Sequence, residues 1–266
     1  MLCFDHVSFR YPSQQSTALQ EVDFAVEKGA YVVLLGANGS GKSTLARLAN
    51  GLLVPDAGAV CVDGTSTAVH ETLRELRSNV GVVSQDPDNQ IVSTTVLDDV
   101  AFGPENLGLP PAVIAERCAA ALALVGLSGF DERDPNTLSG GEKQRLVIAG
   151  VLAMEPSYLV LDEPCSMLDA MGRSEVRAAI AALRARGHGI LHITHDLDET
   201  LSASKVLVLE KGKLVFSGSP DELLAEGALL ERCGIGPTPP PLAPTPPPAQ
   251  APPQAPAQGS PAQAPA

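Results

Sequence analysis

The stretch "GANGSGKST" at 36–44 limits the fold more than any other part of the chain, because it follows the apolar run "YVVLL" at 31–35 and opens a helical pattern. A Gly-rich loop between a buried strand and a helix lets successive backbone N–H groups point inward at phosphate oxygens, reinforced by the positive end of the helix. In this G-x-x-x-x-G-K-S spacing, Gly36, Ala37, Asn38, Gly39, Ser40, Gly41, Lys42, Ser43 and Thr44 form the cradle. Lys42 is placed to neutralise β- and γ-phosphate charge, and the Ser43 hydroxyl to bind Mg²⁺. The plain alternative, a Gly-rich turn at a strand-helix corner, leaves the complete motif unexplained.

The second half of a nucleoside triphosphatase is written at 158–164, "YLVLDEP", an apolar strand that ends in two carboxylates. Asp162 is the expected metal ligand, directly or through water. Glu163 is expected to face the γ-phosphate and to orient and deprotonate a water. No N-K-x-D stretch that reads guanine occurs, whereas Tyr11 in "FRYP" offers an aromatic face to adenine.

Around these motifs, short apolar runs at 31–35, 80–83, 158–161, 190–193 and 206–209 alternate with helical patterns at about 42–53, 112–125, 139–154, 170–186 and 196–204. That alternation predicts an α/β domain with a mainly parallel sheet. Val22, Phe24 and Val26 share one face, as in a half-exposed antiparallel strand, so a small antiparallel layer is expected ahead of the parallel core. Strand signals vanish between Asp86 and about Pro156, which reads as a helical insertion. Ser219, Pro220 and Glu222 announce a last helix over about 220–232. From Pro237 onward the chain is Pro, Ala, Gln and Thr with no charge or aromatic residue, a composition that predicts disorder or polyproline structure.

Composition removes several functions. At 266 residues and 44% hydrophobic, the chain can fill a proper core. Its apolar runs stop short of the roughly 18–20 residues that span a bilayer, and no signal layout opens it. The expected place is therefore the cytosol, with any membrane role exercised through a partner. A net charge of −13 argues against a nucleic-acid surface. Five scattered cysteines without C-x-x-C pairs fit free thiols. The segment "SQDPDNQI" at 84–91 starts like a calcium loop, but Ile91 and Leu97 occupy the positions that need Gly and Glu.

"LSGGEKQR" at 138–145 makes the class specific. With the phosphate loop, Gln85, "LVLDEP", "SMLD" at 166–169 and His195 in "ITHD", it resembles the nucleotide-binding subunit of an ABC transporter over about residues 1–220. Ser139, Gly140 and Gly141 begin a helix whose free N–H groups are aimed at an anion. The resemblance implies that this anion is the γ-phosphate of ATP bound by a second ATPase subunit, so that each site is shared between two chains. It further implies Glu163 as general base, His195 as a γ-phosphate contact, Gln85 as a sensor of Mg²⁺ and the attacking water, and Asp169 as a residue that reaches across the dimer seam.

The text "VGVVSQDPDNQI", "DVAFGPENLGLP" and "GVLAMEPSYLVLDEP" is most similar to the ATPases of energy-coupling factor (ECF) importers of vitamins or transition-metal ions. That likeness implies a homodimer or paralogue heterodimer, a membrane coupling protein and a substrate-binding membrane subunit, with the ATPase peripheral on the cytoplasmic face. The ABC cassette is expected over 1–233, the loss of strand signals puts its helical subdomain at about 86–156, and the Pro-rich composition predicts a disordered tail over 234–266. Glu142 and Cys165 depart from the usual Gln and Thr or Ser, and neither change removes a catalytic group. A conventional ABC transporter ATPase shares every catalytic motif. A soluble ABC ATPase of translation or repair fits less well, since the chain has one cassette, no coiled coil and an acidic balance.

Overall fold

The computed structural model describes residues 1–12 and 16–235; the expected disorder of the Pro-rich tail falls almost wholly outside them. The elements are β1 (Leu2–Phe9), β2 (Leu19–Val26), β3 (Tyr31–Leu35), α1 (Lys42–Ala49), β4 (Ala57–Val62), β5 (Thr65–Ser66), α2 (Leu73–Asn79) and β6 (Val80–Val83). They continue with α3 (Val96–Asn106), α4 (Pro111–Leu124), α5 (Gly140–Leu152), β7 (Tyr158–Asp162), α6 (Ala170–Ala185), β8 (Gly189–Thr194), β9 (Lys205–Glu210), β10 (Lys213–Gly218), α7 (Pro220–Ala225) and α8 (Gly227–Arg232).

Two sheets organise the molecule. The larger runs β10-β9-β3-β8-β7-β6, parallel except for the β9–β10 hairpin at its edge. The smaller, β2-β1-β4-β5, is antiparallel throughout. The expected parallel core and antiparallel layer are therefore both present. Strand periodicity divides the core: Val33 and Leu35 face α3, α5 and α6 residues such as Val100, Leu146 and Ile180, whereas Val32 and Leu34 face α1 and the small sheet through Leu45, Leu48 and Phe4. Phe4 and Phe24 stack across β1 and β2 with centroids 4.5 Å apart.

Several expected boundaries shift. The helix expected at 196–204 is only a 3₁₀ turn, Leu197–Thr200, nucleated by the Asp196 side chain. The last helix breaks at Glu226 into α7 and α8, with Ser219 and Glu222 closing the foreseen capping box. α2 lies before β6, outside the expected insertion, while α3, α4 and α5 lie inside it. Among the described residues, no helix is long and apolar enough to cross a membrane.

Candidate functional site

β3 ends in the core and hands the chain to the glycine loop, whose last residue, Gly41, caps α1 at φ 110°. A Cβ there would sit 2.7 Å from the Ala18 carbonyl oxygen, so both conformation and space exclude a side chain. Lys42 is buried and folds back over the loop, donating to the Gly36 carbonyl at 2.7 Å and the Ala37 carbonyl at 3.2 Å. Its ammonium is also 3.4 Å from Glu163 Oε1. An open cleft of about 280 Å³ is lined by Asn38, Gly39, Gly41, Lys42, Ser43, Gln85 and Glu163. Residues separated by more than a hundred positions in sequence thus meet on the phosphate loop.

The two carboxylates after β7 are held differently. Asp162 is buried, and its Oδ1 has no hydrogen-bond partner. Burial pushes this carboxyl up from its ordinary range, while the adjoining Ser43 hydroxyl and Lys42 ammonium oppose that shift. A bare, buried carboxylate oxygen beside a serine hydroxyl suits a hard divalent cation, so the residues present fit Mg²⁺. Glu163 leaves the strand at φ 50°, a left-handed turn pinned by its N–H bond to the Ile193 carbonyl at 2.9 Å. That turn sends Oε2 to within 3.2 Å of His195 Nδ1 while Oε1 faces Lys42. A base, a cation and an imidazole converge at one opening.

Gln85 follows β6 and donates from Nε2 to Ser166 Oγ at 3.2 Å; Ser166 in turn donates to the Glu163 carbonyl at 3.0 Å. Ser166 had no role assigned from sequence, although its place three residues after Glu163 makes it the natural closure of that turn. Downstream of Gln85, the Gln90 side chain accepts from Ser84 N at 2.5 Å and donates to the Val82 carbonyl at 2.9 Å. Asp88 pairs with Lys143 on α5 at 2.6 Å. The acidic cluster of "SQDPDNQI" is therefore a bonded joint between the parallel sheet and α5.

Five expected site residues, Ser139, Gly140, Gly141, Asp169 and Tyr11, lie apart from this opening. Ser139, Gly140 and Gly141 stand at the start of α5 and do not line the phosphate cleft. The Ser139 hydroxyl accepts from Glu142 N at 3.3 Å, and Glu142 Oε2 accepts from Ser139 N at 2.7 Å, so this hydroxyl is first a cap. Glu142, the departure from the usual Gln, closes the box; the Ser139 N–H bond holds its carboxyl below the ordinary range. A Cβ on Gly141 would meet the Gly172 Cα at 2.9 Å, which shows how tightly the starts of α5 and α6 abut. Asp169 caps α6 by accepting from Gly172 N at 2.8 Å. Tyr11 also stays outside the cleft lining, its hydroxyl 3.2 Å from Thr44 Oγ1 on α1.

A second, larger cleft of about 550 Å³ opens between α2, α3 and α5, with Arg74, Gln90, Val92, Phe102, Val147 and Met154 among its walls. Val92 and Phe102 are exposed at its rim. The helical insertion expected from Asp86 onward supplies most of these walls, whereas α2, the remaining wall, was not among the expected helices.

The phosphate loop on a parallel sheet, the strand-end Asp-Glu pair and the helical insertion define a P-loop nucleoside triphosphatase. A family model described as "ABC transporter" matches residues 19–166, and the chain belongs to that family as one of its ATP-binding, ATP-hydrolysing subunits. The cobalt import ATP-binding protein CbiO of Syntrophus aciditrophicus is 47% identical over 228 residues, 86% of this chain and 81% of the relative. The energy-coupling factor transporter ATP-binding protein EcfA1 of Symbiobacterium thermophilum is 52% identical over 210 residues, 79% of this chain and 73% of the relative. CbiO1 of Clostridium perfringens, described as part of the ABC transporter complex cbiONQ, superposes with a TM-score of 0.77 at 35% identity over 87% of this chain and 93% of that one. The ATP-binding cassette MJ0796, a dimer bound to ADP and Pi in a post-hydrolysis state, gives a TM-score of 0.75 at 26% identity over 83% and 99% of the two chains.

Proposed function

We propose that this subunit energises an ECF-type importer of vitamins or transition-metal ions, as one of a pair of ATPase subunits on the cytoplasmic face of the membrane. The cobalt-import and energy-coupling-factor relatives support the importer class. The dimeric cassette and the membership of CbiO1 in a complex support the pair and its membrane subunits. In this reading residues 1–233 form the ATPase unit, and about 86–156 its helical subdomain.

The observation that carries the chemistry is the setting of Glu163, between Lys42 at 3.4 Å and His195 at 3.2 Å in the cleft of the phosphate loop. The loop N–H groups and Lys42 would bind the β- and γ-phosphates of ATP, and Tyr11 would flank the adenine. Ser43, Asp162 and Gln85 would hold Mg²⁺, which when bound supplies Lewis-acid neutralisation of phosphate charge. Glu163 would align a water on the γ-phosphorus and accept its proton. His195 would contact a γ-phosphate oxygen and keep the Glu163 carboxylate turned inward. The Ser139–Gly141 helix start would close the site of the neighbouring subunit, with Asp169 at the seam. This arrangement is consistent with their lying outside the chain's own cleft.

The cleft between α2, α3 and α5 would receive a helix of the membrane coupling protein against Phe102, Val92 and Met154. Its wall includes Gln90, five residues from Gln85, so nucleotide state and membrane contact share one short segment. Glu163→Gln tests the hydrolytic reading: turnover should fall by about 10²–10⁴-fold with ATP binding retained, the scale of losing a general base. Near-normal turnover would contradict it.

A further inference from the structure

A polar cluster behind the phosphate site takes no part in the hydrolytic roles above. Arg177, on α6, donates from Nε to Glu199 Oε1 at 2.6 Å and from Nη2 to Asp196 Oδ2 at 3.0 Å. Asp196 directly follows His195. The other Asp196 oxygen accepts from Asp198 N at 3.0 Å, and the Asp196 N–H is held by Thr194 Oγ1 at 3.0 Å. Glu199 ends buried, its side chain 8% exposed. Burial raises its carboxyl, and the bond to Arg177 is the main force keeping it charged. Among the described residues, Arg177 is the one Lys or Arg within ion-pair distance of either carboxylate.

The position of this guanidinium in the chain matters as much as its bonds. Glu163 begins the segment that passes Ser166 and the Asp169 cap and enters α6, and Arg177 lies two turns into that helix. His195 sits on a different segment, between β8 and the 197–200 turn. Arg177 therefore spans from the helix that continues the Glu163 segment to the loop that carries His195. A planar fork that binds two carboxylates at once fixes direction as well as distance, which a lysine ammonium does less well.

We propose that Arg177 is a positioning residue for hydrolysis: by holding Asp196 and Glu199 together it sets the loop that presents the His195 imidazole to Glu163, and so links that imidazole to α6. The inference rests on the reading of His195 and Glu163 given above. It requires the effect of Arg177 to pass through His195, which separates it from general structural support.

The test is a double-mutant cycle on the full chain purified with its partner subunits, with ATPase kinetics and a thermal unfolding scan for each variant. Arg177→Ala should lower kcat by about 10-fold with KM for ATP within about 2-fold, an orientation effect rather than a binding one. Arg177→Lys should recover part of the loss. In a His195→Ala background, Arg177→Ala should change kcat by less than about 2-fold. An unchanged kcat in Arg177→Ala, or an equal loss with and without His195, overturns the inference. If Arg177→Ala does not fold, Asp196→Asn, which cuts one arm of the fork, runs the same cycle with the same criteria. If His195→Ala alone leaves kcat intact, the reading of the site itself falls, and this inference with it. If His195→Ala lowers kcat and Arg177→Ala does not, only the positioning role is lost.

Discussion

His192 is wholly buried in the middle of β8, its Nδ1 2.6 Å from the Tyr31 hydroxyl and its Nε2 without a partner. Burial, seconded by Arg177, lowers its pKa to about 4, against a weaker pull from Asp196. The folded value lies below the unfolded one, so the unfolded chain takes up the proton first. The stabilisation is complete above about pH 6.5 and is lost as pH falls toward about 4, a change on the order of 3 kcal/mol. Denaturation midpoints measured across that window should fall with acid in the native chain and fall less in His192→Leu; equal slopes would refute the assignment. At the same scale, Gly141→Ala pushes a methyl against the Gly172 backbone and should cost about 1–3 kcal/mol, read as a lower thermal midpoint. The phosphate loop and the Asp162-Glu163 pair could be picked out in the sequence because each asks for particular residue types at one spacing, whereas His195 was singled out only through the family resemblance. Arg177 was not: a charged residue on a helix gives no sign of partners 19 and 22 positions away.

The parallel strands read plainly as short apolar runs because both faces of the sheet are covered. β1, β4 and β10 did not, since β1 and β4 bury one face, β10 only half-buries one, and β1 carries irregular register with both of its neighbours. α3 was hidden by Pro104 and Gly103 within it, although its Thr95 cap on Asp98 N at 3.2 Å was a readable start signal. The segment from Ser84 to Gln90 joins the sheet to the insertion through Gln90, the Asp88–Lys143 pair and Gln144, which donates to the Ser84 carbonyl at 3.2 Å. Alanine at Asp88, Asn89 and Gln90 together should therefore reduce import more than ATPase activity, measured side by side in vesicles. Equal losses of both would remove the segment from coupling. Phe102→Glu, at the rim of the large cleft, should weaken co-purification of the membrane subunits while leaving the fold intact.

At the scale of the whole molecule, the single chain carries a phosphate loop and a Ser-Gly-Gly helix start that do not share a cleft. The fold gives each a rigid mount: the loop on β3 between the two cores, the helix start against α6. The need for a second chain was legible from "LSGGEKQR" only through family resemblance, because no residue pattern within one sequence states where another copy docks. Hydrolysis in sites completed by a second ATPase subunit requires two such subunits in every active particle. Native mass spectrometry of the membrane complex carrying Glu163→Gln in this chain, purified with Mg²⁺ and ATP, tests it most directly. The expected result is particles with two ATPase subunits, this chain with itself or a related one, retaining trapped ATP. Particles with a single ATPase subunit that retain trapped ATP, or native-sequence particles of that composition that turn over ATP, would contradict it.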